Sequence, residues 1–335
     1  MHATAHLKLN PLWGHEWIAQ FPGVPIFFAV SGYLVFDSLL RLPTKRDFFR
    51  HRALRIYPAL FVNILILEIC FAAGGGMHVD IVGPIKALFF EFLYLITASD
   101  ELAARWAGAR GLRTFDGFFQ IYPSGVLWTL TVELTFYAIV PLFAFARDRK
   151  ASATAMIVAL CALSIASNGL IPKSVLFSLS VGPYFWMFGI GMLFRLWRPK
   201  SIQWPPAIPL LVLLTSLFCA QARGLAYPEW KIEPSWITLL QTALLCSAVI
   251  LIGVGPFLRS RLLAANDISY GVYLYHMLFV AVVMAVPRSE PFTLLGILLC
   301  SMAAGLMSWR LVERPAMKRK RSEAMPQPDA LKSLA

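Results

Sequence analysis

One acidic residue, Glu133, lies inside a long apolar stretch of the sequence. The stretch begins at Val126, ends at Ala146 before a basic segment at 147–150, and is long enough to cross a bilayer as a helix. Glu133 falls roughly 10 Å into such a helix at about 1.5 Å per residue. An ionisable group at that depth is costly unless it is paired or lines a polar cavity. Glu133 therefore marks either a functional site or a carboxylate that a neighbouring Arg or Tyr satisfies for packing alone.

Two further polar groups lie in or beside apolar stretches. Arg52 and Arg55 are spaced i, i+3 on one helical face, which suits a multiply charged phosphate ligand. The same arginines could instead only keep a basic loop on the cytoplasmic side of the membrane. Tyr273 and His276 share one side of a later apolar helix, where a site and a buried polar network explain the histidine equally well.

These groups belong to a chain that is apolar from end to end. Of its 335 residues, 58% are hydrophobic and 14% are charged, against about 25% charged in soluble domains. Apolar runs of membrane-spanning length recur, which predicts an all-α, polytopic transmembrane helical bundle. The net charge is +12, and the basic residues lie mainly in short loops. In that position they indicate the orientation of the chain in the membrane instead of nucleic-acid binding. About nine spans are predicted, near 24–42, 53–73, 126–146, 152–171, 176–197, 205–222, 236–255, 268–287 and 292–312.

The basic loops predict the orientation of this bundle. If the loop 41–52 is cytoplasmic, the other strong basic clusters also fall inside, provided that residues 84–98 do not cross. That segment is short and contains Lys86 and Glu91, so we predict a re-entrant or interfacial segment with 99–125 on the outer face.

Counting the spans in this orientation places residues 1–23 on the outer face. No membrane-spanning helix precedes them in the sequence to carry the chain across. We therefore expect either an N-out protein or a first helix that is missing ahead of Met1. Residues 1–317 are predicted to form one transmembrane domain, and 318–335 a basic, disordered cytoplasmic tail. The five cysteines are scattered and show no metal-ligand spacing, so no metal site is expected.

The order of these motifs resembles that of acyltransferase family 3, membrane enzymes that O-acylate sugars of cell-surface polysaccharides, peptidoglycan and some glycosides. The resemblance covers nearly the whole chain. The matching stretches are Gly23 to Leu34, Arg52 to Pro58, Trp128 to Tyr137, Ser269 to His276, and Glu313-Arg314-Pro315.

The resemblance implies an acyl-CoA-dependent O-acyltransferase of a bacterial inner membrane, with acetyl-CoA as the expected donor. His2 matches the histidine taken as catalytic in the family, with His6 as the fallback, and would act as general base toward a sugar hydroxyl. Glu133 would orient that imidazole or stabilise its charged form. Arg52 and Arg55 would contact the phosphates of acyl-CoA. The residues assigned to substrate binding or support are Ser31, Trp128, Tyr137, Tyr273 and His276.

Two mechanisms and two other functions stay open on the sequence alone. The acceptor could attack the thioester directly, or Ser31 could relay the acyl group, although a serine beside glycine also permits close helix packing. A proton-coupled transporter or flippase of a glycan or lipid-linked sugar would use Glu133 and His276 as a relay, but no inverted halves are evident. A non-enzymatic scaffold leaves the buried polar groups unexplained. The expected partners are membrane lipids and a carbohydrate acceptor, without nucleic acid.

Overall fold

The structure is a computed structural model, and it describes most of the apolar chain. The described residues are 20–74, 77–78, 84–107, 114–115, 125–170, 174–198, 205, 207–224, 235–255, 267–284 and 290–322. His2 and His6 lie outside them, as do residues 323–335 of the predicted tail. The part of that tail that is described, up to Ser322, continues a helix.

The described secondary structure is almost entirely helical. The first half contains α1 (Gly23–Arg41), α2 (Lys45–Gly74), β1 (Met77–His78), α3 (Pro84–Thr97), α4 (Asp100–Ala107), β2 (Thr114–Phe115), α5 (Leu127–Ile139) and α6 (Lys150–Leu170). The second half contains α7 (Val175–Ser178), α8 (Phe185–Leu196), α9 (Ala207–Ala222), α10 (Trp236–Val254), α11 (Ser269–Met284), α12 (Glu290–Ser308) and α13 (Arg314–Ser322). The two short strands pair antiparallel, with Met77 opposite Phe115.

Several predicted spans are helices that change their winding. A 3-10 segment (Val140–Arg147), with Pro141 near its start, continues α5 to the basic end. Another 3-10 turn (Gly182–Tyr184) joins α7 to α8, and a π-helical turn (Trp309–Glu313) joins α12 to α13. Proline has no N–H to donate and clashes with the preceding turn, which accounts for the first change.

Seven helical segments in the described chain are long and apolar enough to cross a membrane. Two shorter apolar helices, Ala207–Ala222 and Ser269–Val283, occupy the two remaining predicted positions. The prediction of an all-α polytopic membrane protein is therefore confirmed, whereas the number of crossings stays a prediction.

The segment predicted not to cross is a short helix. α3 has 14 residues, or about 21 Å at 1.5 Å per residue, against about 30 Å of bilayer hydrocarbon. It ends at Thr97, just before Ala98, whose φ is 53°. The Ser99 hydroxyl then accepts a hydrogen bond from the Leu102 amide at 3.2 Å and begins α4. Its length is consistent with a re-entrant or interfacial segment, which stays a prediction.

The described helices form two compact units. The first contains α1 and α5 to α10, and the second contains α2 to α4 and α11 to α13 with the two strands. In the first unit α1 packs against α8 and α10, and in the second α11 packs against α12.

Candidate active site

Glu133 lies in the first unit and accepts two hydroxyl hydrogen bonds on one oxygen. The hydroxyl of Ser31, on α1, donates to Glu133 Oε1 at 2.9 Å. The hydroxyl of Tyr137, one turn further along α5, donates to the same oxygen at 2.6 Å. Glu133, Ser31 and Tyr137 are at most 7% exposed. We call these three residues the carboxylate cluster.

Two glycines allow α1 to approach α8 closely enough to bring Ser31 to this position. A Cβ built at Gly32 would lie 2.1 Å from the carbonyl oxygen of Phe188, and one built at Gly191 would lie 2.0 Å from that of Ala29. Small residues at such contacts let helix backbones meet in a membrane bundle. Ser31 is next to Gly32 in the sequence, so its position depends directly on this crossing.

Aromatic residues of α1, α5 and the start of α8 pack against one another within the first unit. Phe188 stacks on Phe28 and on Phe136, with ring centroids 4.7 and 4.2 Å apart. Trp128 meets Phe28 edge to face at 6.3 Å and lies 5.7 Å from Tyr184. Because apolar surroundings strengthen hydrogen bonds and electrostatic interactions, Glu133 can act on a neighbouring cation more strongly here than in water.

The geometry of the carboxylate cluster suits an orienting group. Two donors fix the position of Glu133 Oε1. A carboxylate that orients or stabilises a catalytic imidazolium needs to be fixed in this way. The Ser31–Glu133 distance also lies within the range for a nucleophile and its base, so a relay through Ser31 is geometrically allowed. Tyr137 is also the kind of partner expected if Glu133 is satisfied by a neighbouring tyrosine for packing alone. The cluster by itself does not exclude that alternative.

Arg52 and Arg55 lie in the second unit, near the start of α2, and both are partly buried. Arg55 forms an ion pair with Asp267 at 2.7 Å. Asp267 comes just before α11 and also accepts a hydrogen bond from the Ser269 hydroxyl at 2.8 Å. A phosphate at Arg55 must therefore share the guanidinium with a carboxylate, a competition that was not predicted from the sequence.

Tyr273 and His276 belong to α11 in the same unit. The Tyr273 hydroxyl donates to the backbone carbonyl of Val126, and the His276 ring nitrogen Nδ1 is 2.8 Å from the Tyr273 carbonyl. Two neighbours tie α11 to α2, since Tyr270 donates to Ile56 at 3.1 Å and Asn63 donates to Leu274 at 3.4 Å. These contacts fit a buried polar network between α2 and α11.

A second buried carboxylate, Glu313, was not among the predicted site residues. It is 0% exposed, and its Oε1 accepts a hydrogen bond from Ser308 at 2.9 Å. Its Oε2 has no hydrogen-bond partner within the described part of the chain. Glu313 ends the π-helical turn, a conformation found frequently at functional sites. The Glu-Arg-Pro motif at Glu313 was the feature of the sequence that could have marked this residue as a candidate.

A polar cluster in the first unit was also not predicted from the sequence. Arg223, just after α9, donates to Gln20 and Gln241, both 1% exposed. The guanidinium lies 2.9 Å from the Gln20 oxygen and 2.5 Å from the Gln241 oxygen. Burial lowers the pKa of Arg223 from its ordinary value. The cluster holds the Gln20 side chain just ahead of α1.

Asp37 and Arg41, at i and i+4 on α1, form an ion pair at 2.6 Å. Arg195 of α8 also binds Asp37, at 2.5 Å, so this acid joins two helices. The described residues contain no group of three His, Cys, Asp or Glu side chains placed to hold a metal ion.

Comparisons with known proteins agree with the order of the motifs. A family profile described as an acyltransferase domain, that of acyltransferase family 3, matches residues 1–310. Nodulation protein 10 of Rhizobium leguminosarum bv. viciae is 34% identical over 94% of this chain and 87% of its own length. The putative membrane-bound transacylase BcsY of Komagataeibacter xylinus is 27% identical over 93% of this chain and 80% of its own.

A shorter match connects the chain to a sugar O-acetyltransferase. The peptidoglycan O-acetyltransferase OatA of Listeria monocytogenes is 30% identical over 42% of this chain and 22% of its own length. No solved structure matches the chain. Acyl transfer to a sugar, by a multi-pass membrane protein, is the activity that these relatives support. The chain belongs to acyltransferase family 3.

Proposed function

We propose that the protein transfers an acetyl group from cytoplasmic acetyl-CoA to a hydroxyl of an extracytoplasmic sugar, in the inner membrane of a bacterium. The acceptor class is a cell-surface polysaccharide or peptidoglycan, in keeping with relatives named peptidoglycan O-acetyltransferase and exopolysaccharide production protein. The observation that carries the proposal is the carboxylate cluster, in which two hydroxyls hold the buried Glu133.

In this mechanism a histidine activates the acceptor. His2 takes the proton of the sugar hydroxyl, whose oxygen attacks the thioester carbonyl. The carbon–sulfur bond breaks, the acetyl group passes to the sugar, and the proton returns to the departing thiolate. Glu133 stabilises the imidazolium while the proton is on His2. Ser31 and Tyr137 are positioning residues that hold the carboxylate, and the transfer is direct.

The donor is anionic and would bind at the start of α2. Arg52 and Arg55 offer forked donors to its phosphates, and the Arg55–Asp267 pair opens when the donor arrives. The support for this assignment is the spacing of the two arginines and the exposure of Asp267, whose side chain is 47% accessible.

The experiment uses membrane vesicles that contain the full chain. Vesicles with purified polysaccharide and acetyl-labelled acetyl-CoA should transfer label to the glycan, and mild alkali should release it, as expected for an O-ester. Vesicles without the protein are the control. Labelling that does not require acetyl-CoA would reject the donor, and label on lipid or protein alone would reject the acceptor.

A further inference from the structure

A mostly apolar groove opens in the first unit beside the basic end of α8. It has a volume of about 330 Å³ and is lined by α8 and the two residues after it, by α10 and by one residue of α1. Its apolar wall consists of Leu193, Phe194, Ile250, Leu251 and Val254. The volume lies at the lower end of the roughly 300–1,000 Å³ typical of small-ligand pockets.

Arg198 places a positive charge on this apolar wall. Its guanidinium donates to the Tyr33 hydroxyl at 2.9 Å, and both side chains line the groove. Among the described residues no carboxylate lies within ion-pair distance of Arg198. By contrast, Arg41 and Arg195 share Asp37. Arg198 therefore keeps a net positive charge beside an apolar surface.

The groove lies on a different side of α1 from the carboxylate cluster. Tyr33 packs with Ala29 against Cys246 and Ile250 of α10. Ser31, two residues earlier, is about 200° around the helix from Tyr33, at 3.6 residues per turn, and faces Glu133. A ligand in the groove would thus be separated from the carboxylate by α1 itself.

The residue beside Arg198 has the character of a membrane-interface anchor. Trp197 lines the groove and is 57% exposed. Its indole N–H donates to Thr154 at 2.9 Å, and the Lys150 ammonium lies 6.0 Å from its ring centroid. Tryptophan and basic residues concentrate at the level of lipid head groups, and basic pockets between spans bind anionic lipids.

We propose that this groove binds an anionic phospholipid, with one acyl chain on the apolar wall and the phosphate on Arg198. The charge complementarity selects a phosphate-bearing ligand, and the apolar wall selects one that carries a hydrocarbon chain. The Trp197–Lys150 pair places the head group at the membrane surface. The site is separate from acyl transfer, so the proposal stands or falls independently of the proposed function.

Native mass spectrometry of the purified, delipidated full chain tests this directly. We expect phosphatidylglycerol to bind about fivefold more tightly than phosphatidylcholine, since one basic residue near the surface contributes about 1 kcal/mol. Arg198→Gln should abolish that preference. Arg149→Gln, which removes an exposed charge from a neighbouring loop, is the matched control and should retain it.

Two further arms identify the part of the ligand that binds. Val254→Trp, at the end of α10, should fill the groove and weaken both lipids, with an unchanged elution profile on size exclusion as the check on folding. Glycerol phosphate, which has a head group without a chain, should not displace phosphatidylglycerol. An Arg198→Gln protein that still prefers phosphatidylglycerol would overturn the proposal. Displacement of the lipid by acetyl-CoA in the wild type would overturn it too, by assigning the groove to the donor.

Discussion

At the level of single residues, the proposed function depends on the side chains that hold Glu133 in place. Two hydroxyls donate to one carboxylate oxygen, and the three side chains are buried together. Removing one donor leaves the buried carboxylate oxygen with fewer hydrogen bonds. The loss of a hydrogen bond costs more free energy at a buried group than at an exposed one. The cluster can therefore be dissected one hydroxyl at a time.

Ser31→Ala and Tyr137→Phe should each lower the rate of acyl transfer by about tenfold, or about 1.4 kcal/mol. Both changes loosen the carboxylate without removing it. Because the two hydroxyls share one acceptor, the double variant should deviate from additivity by about 0.5 kcal/mol or more. The measurement is kcat with acetyl-CoA at saturation, with Ser38→Ala, a buried serine of the same helix, as the control.

A loss far above a thousandfold in Ser31→Ala alone, with Tyr137→Phe near normal, would contradict the positioning role. That pattern belongs to a covalent nucleophile, whose removal eliminates the intermediate itself.

The donor site makes an equally local prediction. Arg55→Lys keeps the charge but loses the forked donors, so the KM for acetyl-CoA should rise about tenfold, or about 1.4 kcal/mol. Asp267→Asn removes the carboxylate that competes for Arg55, so this KM should fall. Arg46→Lys, an exposed change near the start of α2, is the control. Equal KM values in all three variants would assign Arg55 to anchoring.

Sequence reasoning could find some of these residues and not others. Glu133 stands out by its depth in an apolar run, and Tyr137 follows at i+4 on the same helix. The contact of Glu133 with Ser31, 102 residues away, depends on a helix crossing that no local pattern describes. The same holds for Arg198 and Tyr33, and for Arg223 with its two glutamines.

At the scale of elements, the contact between α1 and α8 places Ser31. Gly32→Ala would put a methyl group 2.1 Å from the Phe188 carbonyl oxygen, whereas the same change at Gly253 meets nothing within 4 Å. Overpacking of this kind typically costs about 1–3 kcal/mol. Gly32→Ala should therefore lower the thermal midpoint of the detergent-solubilised protein, and Gly253→Ala should leave it nearly unchanged. Equal midpoints in both variants would mean that α1 and α8 do not pack closely.

The helices were more predictable than their internal geometry. Each apolar run gives a helix, because every backbone polar group must be satisfied within the membrane. The 3-10 continuation at Val140–Arg147 and the π-helical turn at Trp309–Glu313 interrupt runs that look uniform in hydropathy. Hydropathy records where a helix lies and does not record its winding.

At the scale of the whole molecule, the orientation of the chain decides which side each site faces. The proposal requires the start of α2 inside and the acceptor outside. A tag in 99–125 and a tag in 223–235 should both report the outer face, because the short helix α3 is predicted not to cross. Accessibility to a membrane-impermeant thiol reagent at introduced cysteines, in intact cells, measures this. A cytoplasmic signal from 99–125 would contradict the predicted topology.

The central claim is that Glu133 supports acyl transfer from acetyl-CoA, and Glu133→Gln tests it most directly. The amide keeps the shape and an acceptor oxygen for Ser31 and Tyr137, and loses the charge that would stabilise an imidazolium. The measurement is acetyl transfer from labelled acetyl-CoA to glycan in membranes, divided by the amount of folded protein. The predicted result is a fall of at least about tenfold, or about 1.4 kcal/mol, at wild-type abundance. Normal turnover per folded molecule, or a loss explained by lower abundance alone, would contradict the claim and leave Glu133 as a packing residue.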